Sequence, residues 1–306
     1  MNAFEWLTRA DANHGSVVVL GAPISKASIS ASEAWSTPPA VRAALRRYTT
    51  WDAEHDIDVA NLTVRDAGDV AGDRDDADAL AAHVRIQEAV SAAASAGETA
   101  VVVVIGGDNS LTRPVLHGLM AARPAEAWGL LTVDAHHDCR PLDGGPRNGT
   151  PVRELIEAGL PGDRVAQVGI MPFANAADQA RWAERQGVHV HHRAEVARRG
   201  ISEVVSAALA ELTAAGATAV HADLDVDAVE RAAAPACPAS LPGGIAPAEL
   251  ITAAHQLGRD RRVHSVDFTE VDANADVNGI TVRLVAACLL AFCSGVLHRG
   301  AEVPPA

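Results

Sequence analysis

The feature that most constrains this chain is a series of short apolar runs that are largely uninterrupted. VVVL at 17–20, AVVVVI at 100–105 and GLLTV at 129–133 are each about the length of a β-strand, and further runs lie at 165–168, 188–191, 218–224 and 263–268. A strand that faces water on one side alternates apolar and polar residues. One that is apolar throughout is buried on both faces, which calls for a mostly parallel sheet with helices above and below. Ala-rich stretches with helical spacing fall between the runs, at 77–96, 111–122, 152–158, 176–186, 202–215, 247–257 and 281–297. The alternation predicts an α/β fold of three layers, α/β/α, and with no linker or low-complexity tract it reads as one domain over residues 1–306. Aromatic residues make up only 3% of the chain, so its core must be packed from small aliphatic side chains.

Charge narrows the function. A formal net charge of −14 repels phosphate backbones and anionic lipid, which argues against nucleic acid or a membrane surface and for a small-molecule substrate. No run approaches the roughly 20 apolar residues of a membrane span. Cys139, Cys237, Cys288 and Cys293 form no CxxC pair, and the N-terminus carries no leader pattern; the expectation is a reduced, cytoplasmic protein.

In parallel sheets ligands bind beyond the carboxyl ends of the strands, and here those ends carry the unusual residues. VVVVIGGDNS ends in Gly106 and Gly107, where the backbone can turn sharply, followed by Asp108, Asn109 and Ser110; Asp108 or Ser110 could equally cap the next helix. In VDAHHDCR, an extended backbone past Val133 would send Asp134, His136 and Asp138 to one side and His137 to the other. In HADLDVD, Asp223 and Asp225 share a face. Carboxylates crowded at one end of a sheet repel one another and raise their own pKa values unless a cation neutralises them. A divalent metal is the natural solution, and carboxylates with a single imidazole suit Mn²⁺ better than Zn²⁺. The segments 25–39 and 225–244 read as long loops around the site.

The motifs GGDNS, DAHHD, DLD followed by APACPASLPGG, and EVDANADVNGITVR, with VVVLGAP and STPPAVR before them, resemble in order and spacing those of the ureohydrolase, or arginase-like, family. The resemblance spans nearly the whole chain. It implies an arginase-like fold, two Mn²⁺ ions per subunit, hydrolysis of a linear amidine or guanidine by a metal-activated hydroxide, and a homo-oligomer. Carried over by position, Asp134 and Asp223 would bridge the ions, Asp138 would join the first, and His136 with Asp225 the second. Asn109 stands where the family usually has a histidine ligand of the first metal. Asn148 stands where arginases and agmatinases have a histidine thought to shuttle protons, a task an amide cannot perform. His137 is then the candidate replacement, provided the loop turns it inward.

Glu270 matches the family glutamate that holds the substrate's planar cation, a geometry suited to a carboxylate; the alternative is an ion pair with Arg283. Arg140, Arg147 or Arg153 could meet a substrate carboxylate. Asp66 and Asp69 read as an early structural loop, Asp227 and Asp272 as scaffold, and His221 as a core histidine. The combination GGDN, DAHHD and NGTP looks most like formimidoylglutamase-type members, which hydrolyse N-formimidoyl-L-glutamate to glutamate and formamide. The alternatives are an agmatinase or guanidino-acid hydrolase, or a relative that has lost catalysis through its two asparagines.

Overall fold

The computed structural model describes residues 1–9, 16–95 and 101–301. Its strands are β1 (Val17–Gly21), β2 (Trp51–Asp52), β3 (Ile57–Asp58), β4 (Val64–Asp69), β5 (Val101–Ile105), β6 (Trp128–Val133), β7 (Val165–Ile170), β8 (His189–His192), β9 (Ala219–Asp225) and β10 (Val263–Thr269). Its helices are α1 (Ala3–Leu7), α2 (Thr37–Ala44), α3 (Leu80–Ala94), α4 (Thr112–Ala122), α5 (Pro151–Glu157), α6 (Ala177–Gln186), α7 (Arg193–Arg199), α8 (Ile201–Ala214), α9 (Pro247–Arg259) and α10 (Ile280–Ala301). Eight strands form one sheet in the order β4-β1-β5-β10-β9-β6-β7-β8, while β2 and β3 pair as a separate antiparallel hairpin. Every pairing in the large sheet is parallel.

The uninterrupted apolar runs have the predicted cause. On β5, Val101, Val103 and Ile105 enter a core cluster with residues of α8, α9 and α10, whereas Val102 and Val104 enter a second cluster with residues of α3 and α4. Each face of the sheet is thus covered by helices, giving the three-layer α/β/α architecture. The chain leaves β5 for β6 by passing over β10 and β9, so the carboxyl ends of β5, β10, β9 and β6 are side by side at the point where the strand order reverses. Gly107 makes this edge possible: a Cβ there would lie 1.9 Å from the carbonyl oxygen of Ile24, so only glycine lets the two backbones come this close.

Four expectations change. The segment 25–39 is a loop only as far as Glu33; a 3₁₀ turn, Ala34–Ser36, leads into α2, whose first turn contains Pro38. VRDAGD is the edge strand β4, and its Asp66 and Asp69 both accept hydrogen bonds from Arg42 of α2. α10 is long and apolar enough to cross a membrane by length and composition, yet two helices, α9 and α2, pack on it and 67% of its most apolar window is buried in the fold. The turn 225–244 begins with a 3₁₀ turn, Val226–Ala228. Ala96 and Ala100, at the ends of a predicted helix and strand, lie outside the described residues.

Candidate metal centre

The apolar run of β6 stops at Val133, and the backbone does not stay extended beyond it. Asp134 N–H still donates to Val168 of β7 (2.9 Å), but its Oδ1 accepts from His136 N–H (2.6 Å) and folds the chain into a turn. Asp138 then takes a positive φ of 50°, uncommon for a residue with a Cβ. The turn still brings Asp134, His136 and Asp138 together, through local hydrogen bonding rather than strand alternation.

Two donor sets result. One atom each of Asp134, Asp138 and Asp225 lies within 4.8 Å of the others, and the same holds for Asp134, His136 and Asp227. Asp225 is placed by β9 and accepts from Asp227 N–H (2.8 Å), which turns Asp227 toward the neighbouring β6 end. There its Oδ2 is 3.0 Å from His136 Nδ1. Asp227 belongs to the centre and is not scaffold. The signal was present in the third carboxylate of D-L-D-V-D, which continues the two-residue spacing. Asp223, expected to bridge the ions, belongs to neither donor set: it lies one strand-step deeper, level with Asp267 on β10, and accepts a long bond from Thr269 (3.4 Å), so Asp225 and Asp227 take the places expected of Asp223 and Asp225. Asp267, absent from the sequence reading, receives His221 Nε2 (3.1 Å) and Thr112 Oγ1 (3.2 Å) and backs the site.

The electrostatics ask for a cation. Burial, then Asp227, raises Asp134 to about 6 despite His136 beside it. Burial and then neighbouring carboxylates hold Asp138, Asp223 and Asp225 well above the usual carboxylate range. Burial would lower His136, but Asp227 and Asp134 outweigh it and push the imidazole up to about 12. Asp227 Oδ1 is buried with no hydrogen-bond partner among the described residues. A donor set of carboxylates with one imidazole and an orphaned carboxylate oxygen fits a hard divalent ion such as Mn²⁺.

Asn109 meets this set differently from the expectation. Its Nδ2 donates to Asp138 Oδ2 (2.6 Å) and its Oδ1 lies 2.8 Å from Thr112 Oγ1, so the side chain holds a carboxylate in place. Glu270, at a φ of 64°, ends β10 and faces the cluster; its Oε1 accepts Asn109 N–H (2.7 Å) and Asn148 Nδ2 (3.0 Å), not Arg283. Burial, then Asp108, raises its pKa to about 8. Asn148 also accepts Ile29 N–H (3.0 Å), tying the first long loop to Glu270. Asp108 caps the 3₁₀ turn Asn109–Leu111 and binds Ala27 N–H (3.1 Å), so its role is to hold the loop.

A cavity of about 90 Å³ opens over these groups, walled by His136, Asp138, Asn148, Asp225, Asp227 and Glu270, with Arg140, Ile29 and Gln179 among the residues at its mouth. Two predicted site residues are elsewhere. His137 points the other way, its Nδ1 2.7 Å from Gln167 Oε1, and lines a separate cavity beside Met171 and His192. Arg153 pairs with Glu157 (2.7 Å) and lies over the Trp182 ring. Of Arg140, Arg147 and Arg153, it is Arg140 that reaches the cavity.

Residues 15–294 match the family described as the Arginase family. A formimidoylglutamase from Halalkalibacterium halodurans is 35% identical, the match covering 90% of this chain and 86% of that protein. The crystal structure of formimidoylglutamase from Bacillus subtilis superposes with a TM-score of 0.86 at 29% identity, covering 92% of this chain and 86% of that one. Trypanosoma cruzi formiminoglutamase, a structure with two Mn²⁺ ions, shares the fold at a TM-score of 0.87 and 23% identity, covering 98% and 99%.

Proposed function

The chain belongs to the arginase family, and on that premise we propose that it hydrolyses N-formimidoyl-L-glutamate to L-glutamate and formamide. The observation that carries the reading is Glu270, a fixed buried carboxylate facing a cluster of Asp side chains across a cavity of about 90 Å³, room for a formimidoyl head group. Relatives named formimidoylglutamase support the substrate.

Asp134, His136, Asp138, Asp225 and Asp227 would hold two Mn²⁺ ions. When bound, such ions lower the pKa of water enough to supply a nucleophile near neutral pH and offer positive charge to the developing oxyanion. The protein's part is placement. Asn109 N–H and the Asn148 amide fix Oε1 of Glu270, so the carboxylate stands ready for the planar amidinium without reorganising. Asn109 keeps Asp138 aimed through its amide nitrogen. Water adds to the formimidoyl carbon, the bond to the glutamate nitrogen breaks, and that amine leaves with a proton. Asn148 has none to give, and His137 is turned away. The glutamate portion extends toward the mouth, where Arg140 meets a carboxylate.

The test is to load the chain with Mn²⁺, count metal per chain, and assay formimidoylglutamate, agmatine, arginine and guanidinobutyrate on one sample. Turnover of formimidoylglutamate is expected; turnover of agmatine or guanidinobutyrate in its place, or of none, overturns the reading. Within the same reading the enzyme is a homo-oligomer, which light scattering of the purified chain tests.

A further inference from the structure

A second cluster of metal-ligating side chains gathers where the β2–β3 hairpin meets α9 and α10. His55 lies in the hairpin turn, His255 on α9, and Ser294 and His298 one helical turn apart on α10. Glycines bring the helices together: a Cβ on Gly295 would lie 2.1 Å from the carbonyl oxygen of His255, and one on Gly258 2.1 Å from that of Phe292. The backbones therefore touch, and the rings of His255 and His298 are 5.7 Å apart at their centroids. His55 stacks on His255 at 3.7 Å with planes 11° apart. Arg299, next to His298, donates to the carbonyl of Val263 at the start of β10 (2.8 Å), which puts the cluster at the amino end of the strands, opposite the carboxylate centre.

The hydrogen bonds leave three imidazole nitrogens in this space open to coordination. Ser294 Oγ donates to Asp52 Oδ2 (2.5 Å), and His55 Nδ1 is 3.0 Å from the same oxygen. A carboxylate at Nδ1 fixes the proton there and leaves Nε2 bare, the arrangement by which a carboxylate orients a metal-bound histidine. His255 Nε2 and His298 Nδ1 are buried and have no hydrogen-bond partner among the described residues, and His255 is only 9% exposed. Buried polar atoms of this kind are rare because each forgoes its interaction with water. Burial, then His55, lowers His255 to about 4, so its ring is neutral, the form that binds metals.

We propose that Asp52, His55, His255 and His298 form a mononuclear site for a borderline transition-metal ion of the Zn²⁺ class, separate from the carboxylate centre. One donor atom each of Asp52, His55 and His255 already lies within 4.8 Å of the others. The ring planes of His55 and His255 are nearly parallel; with His55 kept on Asp52, rotation of the His255 ring about its broad χ2 torsion would bring a nitrogen of each ring to one ion, at about 2.0–2.1 Å. Imidazole-rich ligation separates this ion from the hard cation favoured by the aspartates. A cavity of about 260 Å³, walled by Tyr48, Trp51, Ile251 and Leu290, opens onto His55 and His255 and gives the ion an entry path. Once bound, the ion ties the hairpin to α9 and α10.

The test compares the full-length chain with His55→Ala and His255→Gln, each loaded with Mn²⁺, dialysed against low Zn²⁺ and measured for both metals and for turnover. The expected result is a loss of about one zinc per chain in both variants with Mn content and turnover unchanged. In the unsubstituted chain, Zn²⁺ should also slow amide exchange over residues 51–58. His55 sits in a partly exposed turn, so its variant keeps the test open even where His255→Gln fails to fold. Equal zinc in His55→Ala and the unsubstituted chain, or exchange that zinc does not slow, overturns the site.

Discussion

Side chains of the centre divide into those that hold charge and those that aim it. Asp225 is buried among other carboxylates, so Asp225→Ala removes a repulsive group from the fold while taking a donor from the metals. Its activity should vanish and its metal content fall with the circular dichroism unchanged; full activity would sink the metal assignment. Asn109 aims Asp138 through its amide nitrogen. Asn109→His places an imidazole donor at the same point, and the variant should retain more Mn²⁺ than the parent after equal dialysis. Arg140→Ala should raise KM for formimidoylglutamate about tenfold with kcat nearly kept, as loss of a binding contact outside the reacting centre does. Arg153→Ala, which breaks only an exposed pair and a ring contact, should leave both constants alone. At this scale the sequence showed most of the carboxylates, because each ends an apolar run. Asp227 continues the two-residue spacing of Asp223 and Asp225, but that spacing does not say which two of the three carboxylates reach His136 and Asp134 beyond the end of β6. Local spacing is equally silent on Asn109, whose amide orientation is set by Thr112 and Asp138 together.

Strands and helices were legible where burial on two faces left an unbroken apolar run, as on β5 and β6. β4 was not, because it is an edge strand whose polar residues face Arg42 and solvent, and VRDAGD has neither an apolar run nor clean alternation. The first loop was half legible. Its start at Ser25 is irregular, but STPP, read as loop, starts a helix, since proline is tolerated in a first turn. The junction of that loop with β5 carries a prediction. Gly107→Ala forces a Cβ against the Ile24 carbonyl, a backbone atom with no flexible way to yield. The chain should lose about 1–3 kcal/mol, read as a lower urea midpoint at unchanged slope. Activity should fall further than stability, because the same backbone carries Gly107 O, which accepts Glu270 N–H (3.0 Å).

Across the whole molecule, the carboxylate edge makes stability depend jointly on pH and metal. Chelated protein keeps Asp134 near 6 against an ordinary 3.8, and Glu270 near 8 against 4.5, with Asp138, Asp223 and Asp225 raised as well. His136, near 12 against 6.5, also holds its proton in the folded state. For all of these the folded chain binds more protons than the unfolded one, so the stability these groups contribute is greatest below the ordinary carboxylate range and falls as pH rises. From the carboxylates, the fall runs from about 4 up through about 8. Bound Mn²⁺ replaces those protons with fixed positive charge and releases them to solvent, so the loaded protein escapes most of the loss. The Tm difference between Mn²⁺-loaded and chelated protein should therefore widen steadily from pH 5 to pH 8, read by thermal denaturation at fixed metal concentration, and loading should acidify an unbuffered sample. In Asp225→Asn the widening should shrink, because one of the groups that must shed a proton is gone. A gap that stays flat across this range would mean that the carboxylates, though crowded, are not where the metal binds.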